Sequence, residues 1–147
     1  KNIALRILAI GISGQMHGEV LLDDEGETLE PVRLWCDSRN QEEGTELTNL
    51  FQVKVPKRAT CARFLWTCRN TTKAPQTRHI TTPAGFVGFA LTGEHTLGSG
   101  DAAGMFPVSS QTGDYDTNLL EAYNQLLNRA SDNRKILPFQ QLLPKLC

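Results

Sequence analysis

One stretch narrows the fold of this chain more than any other. Ile7-Leu8-Ala9-Ile10-Gly11-Ile12 is short and almost wholly apolar, and the pair Ser13-Gly14 ends it. Runs of this length, without polar alternation, mark strands covered on both faces, as in parallel or mixed α/β sheets. Glu19-Val20-Leu21-Leu22 reads as a second short strand, and Asp23-Asp24-Glu25-Gly26 as a turn with Gly26 in a left-handed position. Leu29 through Trp35 supplies the return strand, which Pro31 places at an edge or near a strand start. Two strands joined by an acidic turn make a hairpin.

Helices follow. Asp37-Ser38 offers caps for a helix from Arg39 to about Phe51, with Leu47, Leu50 and Phe51 as its buried stripe and Glu42, Glu43 and Glu46 on its solvated face. Thr60 to Arg69 reads as a second helix around Phe64, Leu65 and Cys68, and Asn70 to Gln76 as a loop. Thr82-Pro83 is a strong start signal for a third, which Gly93 closes. Met105 to Val108 reads as a short strand, and Asp116 caps a helix in which Leu119, Leu120, Tyr123, Leu126 and Leu127 recur at helical spacing.

Composition sets the outer limits. At 147 residues one domain is expected, with 39% apolar residues and a net charge of −1. That excludes disorder, and near-neutrality argues against a nucleic-acid binder, which needs a basic face. No apolar run reaches the ~20 residues of a membrane span. Cys36, Cys61, Cys68 and Cys147 form no CxxC pair, so they read as reduced thiols of a cytoplasmic protein rather than metal ligands. The chain starts without Met, directly before the apolar run, as expected of a piece of a longer protein.

The polar run Ser13-Gly14-Gln15-Met16-His17-Gly18 follows the opening strand. Ligands of open α/β sheets bind beyond the carboxyl ends of strands. Gln15 and a neutral His17 each both donate and accept, and Met16 can lie on a carbon skeleton, so the run suits a polyhydroxylated ligand. A tight turn with a satisfied histidine is the blander alternative. Gly93 to Gly100 lacks the ending of a Walker loop, and Gly98 to Gly104 does not fit the dinucleotide fingerprint and reads as a glycine-rich turn in which Asp101 bonds local amides. His79 and His95 read as surface or loop residues, and Lys54, Lys57 and Arg58 as a basic cluster on a solvated face.

Taken in order, four stretches resemble the FGGY carbohydrate kinases, and among them the xylulokinase group. They are Ile10 to Gly18, Leu34-Trp35-Cys36-Asp37-Ser38-Arg39, Leu91-Thr92-Gly93-Glu94, and Gly100-Asp101-Ala102-Ala103-Gly104-Met105. The resemblance implies an α/β, partial ribonuclease-H-like (actin-like ATPase) domain with a mixed sheet and flanking helices. Residues 1–147 would be the central part of the N-terminal lobe, without the upstream phosphate-binding hairpin and the C-terminal lobe. It implies a sugar-binding role for Met16 and His17, with Arg58 as a further candidate, and a scaffolding role for Trp35, Asp37 and Arg39. The intact protein would phosphorylate a pentulose such as xylulose, using ATP and Mg2+ bound mainly by parts absent here. No catalytic residue and no metal ligand is expected in this chain, which alone would be inactive. The alternative is a non-catalytic carbohydrate-binding or pseudokinase module. Partners are then the sugar and ATP, with no nucleic acid and no membrane. An opening strand without neighbours would also expose apolar surface, so low stability or self-association is expected.

Overall fold

The computed structural model describes residues 7–132 and 134–147. Its largest packed unit is built on two helices. α1 (Gln41–Phe51) and α2 (Thr60–Asn70) pack on each other, and α5 (Thr117–Ala130) lies against α2. Phe51, Phe106, Tyr123 and Phe139 meet between them, with ring centroids 4.7 Å apart for Tyr123–Phe139 and 5.4 Å for Phe51–Phe106. Each such pair adds about 0.5–1.5 kcal/mol beyond the area it buries. The Tyr123 hydroxyl donates to the Cys61 carbonyl at 2.6 Å, so the most deeply buried phenol of this core is paired.

The strands are few and short. β1 (Val20–Leu22) pairs antiparallel with β2 (His79–Thr81), in the register Val20 to Thr81 and Leu22 to His79. β3 (Thr96–Leu97) runs parallel to β4 (Lys145–Leu146). Between them stand α3 (Pro83–Thr92) and the single turn α4 (Ser99–Ala102), and α6 (Phe139–Leu142) precedes β4.

Several expectations hold. Gly26 is left-handed, with φ of 80°. The Thr82 side chain caps α3 by accepting from the Gly85 N–H, Pro83 opens the helix, and Gly93 closes it with φ of 73°. Asp116 caps α5 through the N–H groups of Asn118 and Leu119.

Others need correction. Ile7 to Ile12 forms no strand: no described strand pairs with it, and it lies open, with Leu8 92% and Ile7 76% exposed. An apolar run becomes a strand only when a neighbouring edge takes up its backbone groups. The return strand is reduced to two bridges, Leu22 to Thr28 and Glu19 to Arg33, because Pro31 and its neighbours bow away between them. α1 begins at Gln41, not Arg39: Asp37 spends its carboxylate on Arg39, and Asn40 caps the helix without a side-chain bond while its amide donates to the Lys57 carbonyl. Glu43 is buried rather than solvated: Arg69 of α2 reaches it at 3.3 Å. Leu50 is exposed. Met105 to Val108 is a turn that makes one bridge, Val108 to Tyr115, and no strand.

Candidate functional site

The site is assembled around one carbonyl. His17 Nδ1 lies 3.2 Å from the Gly104 oxygen. The same oxygen accepts the N–H of Thr60, the first residue of α2, at 3.3 Å. Three segments distant in sequence therefore converge: the loop after the apolar run, the loop after α4, and the entry to α2. A carbonyl can only accept, so Nδ1 carries the proton, and in the neutral ring Nε2 is left as an acceptor.

His17 takes a left-handed backbone, φ 60°, which is uncommon outside glycine and clusters at functional loops. The half-buried ring packs directly on Gly104. A methyl group on Gly104 would stand 2.7 Å from Nδ1. Met16 beside it is exposed, 55% of its surface free. Gln15 is turned to structural use, its side-chain oxygen accepting the Trp35 N–H at 3.1 Å. That bond brings Trp35, 59% exposed, beside the same loop.

The flanking glycines serve packing rather than ligand approach. A methyl on Gly18 would meet Pro83 at 2.5 Å, and one on Gly14 would meet Ala84 at 3.1 Å. They let the loop lie flat on the start of α3. Asp101 does not bond the amides of its own turn as expected. One of its oxygens takes the Thr82 hydroxyl at 2.8 Å and ties α4 to the cap of α3.

Arg58 stands exposed two residues before α2, in the turn where Lys54 and Lys57 are also exposed. The Thr60 contact puts that turn at the His17 end of the molecule. Beneath it lies an ionic cluster that sequence reasoning missed. Glu19 and Arg33 are buried and paired, and Arg63 of α2 is fully buried. Burial raises the Glu19 carboxyl to about 7, against the pull of Arg33 and Arg63. Burial likewise holds the Arg63 guanidinium below its ordinary range. The one signal available was the hairpin register, which sets Glu19 across from Arg33. Asp37 is lowered to about 2 by its bonds from Arg39, and the Arg39 guanidinium lies 4.9 Å over the Trp66 ring. The Trp35 to Arg39 stretch thus braces α2, while the indole of Trp35 stays free.

His79 and His95 are half-buried and in edge-to-face contact at 4.6 Å, not loose surface residues. Burial and the neighbouring His79 lower His95 to about 4. All four cysteines are free; Cys61 and Cys68 are buried, which pushes both thiols up to about 12, whereas Cys36 and Cys147 are exposed.

The amides from Asp101 to Met105 all close local turns, leaving none of them to cradle a phosphate. Among the described residues no three His, Cys, Asp or Glu side chains converge on a metal-sized site. No described helix is long and apolar enough to cross a membrane. A cleft of about 660 Å³ beside α5 shares no lining residue with the His17 loop. The site is therefore an open wall rather than a closed pocket.

A half-lobe of this kind, with small sheets, flanking helices and a polar loop at one end, is the architecture of sugar kinases with the actin-like ATPase fold. A xyloylose kinase from Brucella ovis superposes with a TM-score of 0.74 at 27% identity, over 94% of this chain and 27% of that one. A ligand-bound xylulose kinase from Lactobacillus acidophilus shares the fold at 21% identity, with a TM-score of 0.77 over 99% of this chain and 29% of that one. Residues 3–128 match the N-terminal domain of the FGGY family of carbohydrate kinases, and the chain belongs to that family. Xylulose kinases from Streptomyces rubiginosus and Escherichia coli are 33% and 30% identical to it, over 76% and 79% of the chain. The chain spans about a quarter of their length, 26% in both cases.

Proposed function

We propose that this chain is the sugar-reading wall of an ATP-dependent carbohydrate kinase that phosphorylates a pentulose such as xylulose. The observation that supports it most is the Gly104 carbonyl shared by His17 and the entry to α2. Fixing Nδ1 there leaves Nε2 free to accept from a sugar hydroxyl. Met16 supplies an apolar face for the carbon chain, and Arg58 supplies donors from the turn before α2 at the same end. Trp35 offers an aromatic face next to them. The names of the relatives point to xylulose as the first sugar to test.

The chain corresponds to the central part of the N-terminal lobe and by itself transfers no phosphate. Phosphoryl transfer needs donors around the phosphates and a carboxylate placed at the attacking hydroxyl. ATP and Mg2+ would be held by parts of the parent protein outside these residues. Titration with D-xylulose, D-ribulose and glucose tests the reading. A pentulose is expected to bind, and His17→Ala to weaken it about tenfold or more, as removing a partner from a substrate hydroxyl commonly does. Absence of pentulose binding, or an unchanged affinity in His17→Ala, contradicts it. ATP-dependent turnover by the chain alone contradicts the second half.

A further inference from the structure

We propose that Arg63 is the positioning residue of this wall, holding the turn that carries Arg58 and the loop that carries Trp35 and Asp37 against one helix. The ligand in this inference rests on the proposed function; the tethering does not.

Arg63 is fully buried on α2. A buried guanidinium is costly unless its donors are used, and a hydrophobic residue of similar volume commonly packs as well. Its donors leave the helix in two directions. Nε donates to the Arg58 carbonyl at 3.1 Å, and Nη2 donates to the Asp37 carbonyl at 3.4 Å. Neither acceptor belongs to regular structure, so these bonds fix two loops that the backbone ladders leave unfixed.

The neighbours hold Arg63 and the second loop in turn. The Arg33 guanidinium donates to the Arg63 carbonyl at 3.2 Å and is itself paired with Glu19, two residues beyond His17. Trp66, one turn along α2, carries Arg33 at 5.0 Å and Arg39 at 4.9 Å from its ring centre. The Trp35 to Arg39 loop is thus held to α2 at two points, through the Asp37 carbonyl and through Arg39. In the Arg58 turn, Arg63 holds the Arg58 carbonyl and the Asn40 side-chain amide holds the neighbouring Lys57 carbonyl. A rigid planar fork can serve two carbonyls at once; the single ammonium of lysine cannot match that geometry.

The test is hydrogen exchange and D-xylulose titration of the 147-residue chain carrying Arg63→Met or Arg63→Lys. Arg63→Met is expected to speed exchange of amides in 35–39 and 57–59 about tenfold, the scale of one lost hydrogen bond, without altering α5. Pentulose affinity is expected to fall about tenfold with it, and Arg58→Ala to cost much less in that background than in the wild type. Arg63→Lys, the safer variant for folding, is expected to restore protection in one loop and affinity in part. Unchanged exchange in both loops overturns the proposal, as does loosening of both with wild-type sugar affinity. If the wild-type chain binds no pentulose, the proposed function falls, and exchange alone decides whether Arg63 holds the loops.

Discussion

Gly104→Ala is the sharpest perturbation of the His17 site, because it adds one carbon and alters no donor or acceptor. The new methyl would stand 2.7 Å from His17 Nδ1 and 2.8 Å from Cε1. Ordinary contact between such atoms begins near ~3.4 Å, so the ring must retreat by roughly 0.7 Å or swing away. Gly104 does not have a positive φ, so alanine adds no left-handed strain there. The backbone can stay while the imidazole moves, and the stability cost should sit at or below the ~1–3 kcal/mol of ordinary overpacking. The functional cost is separate. A displaced Nε2 forfeits its hydroxyl contact, worth about 1–3 kcal/mol, or roughly five- to 150-fold in affinity. Calorimetric titration with D-xylulose, paired with thermal melting, separates the two. A melting change of a few degrees and a large loss of affinity are expected. Gly104→Ala with wild-type affinity refutes the placement of His17 as a reading residue.

Other expectations follow from the same geometry. Tyr123→Phe removes the 2.6 Å bond to the Cys61 carbonyl inside the core and should cost about 1–3 kcal/mol in chemical denaturation, through the acceptor left buried. Glu19, raised from 4.5 to about 7, keeps in the fold a proton that the unfolded chain has lost, so its contribution to stability falls as pH rises from 4.5 to 7. Glu19→Gln should flatten that slope in urea titrations. His95, lowered from 6.5 to about 4, acts in the opposite sense: its contribution is present above pH 6.5 and is lost as pH falls toward 4, and His95→Asn should remove that acid-side loss. Leu8 and Leu91 stand exposed with Ile7, Ile10 and Val87. Self-association is expected in sedimentation, and Leu8→Asp with Leu91→Asp should reduce it; a monomeric wild type contradicts this expectation.

Two helices were legible because each carries its own punctuation. Thr82-Pro83 with Gly93, and Asp116 before a periodic apolar stripe, place α3 and α5 by local chemistry alone. The apolar run at Ile7 to Ile12 was misread as paired because periodicity reports what a segment could bury, not which strand stands beside it. Glu43 misled for a related reason: an acid near a helix start looks solvated until Arg69, 26 residues later, is folded onto it. The His17 loop was legible by type and order of residues. Its partner, the Gly104 carbonyl 87 residues away, was not, since a backbone acceptor leaves no mark in a sequence. Arg63 escaped notice for the same reason, because both of its acceptors are carbonyls.

The claim beneath all of this is that the His17 ring presents Nε2 to a sugar hydroxyl while Nδ1 is held by the protein. Histidine side-chain nuclear magnetic resonance during a D-xylulose titration tests it directly. A saturable shift at His17 Nε2 is expected, with the Nδ1 proton retained and His79 and His95 unmoved. A sugar that saturates the chain without disturbing His17, or a His17 ring protonated on Nε2 instead, contradicts it.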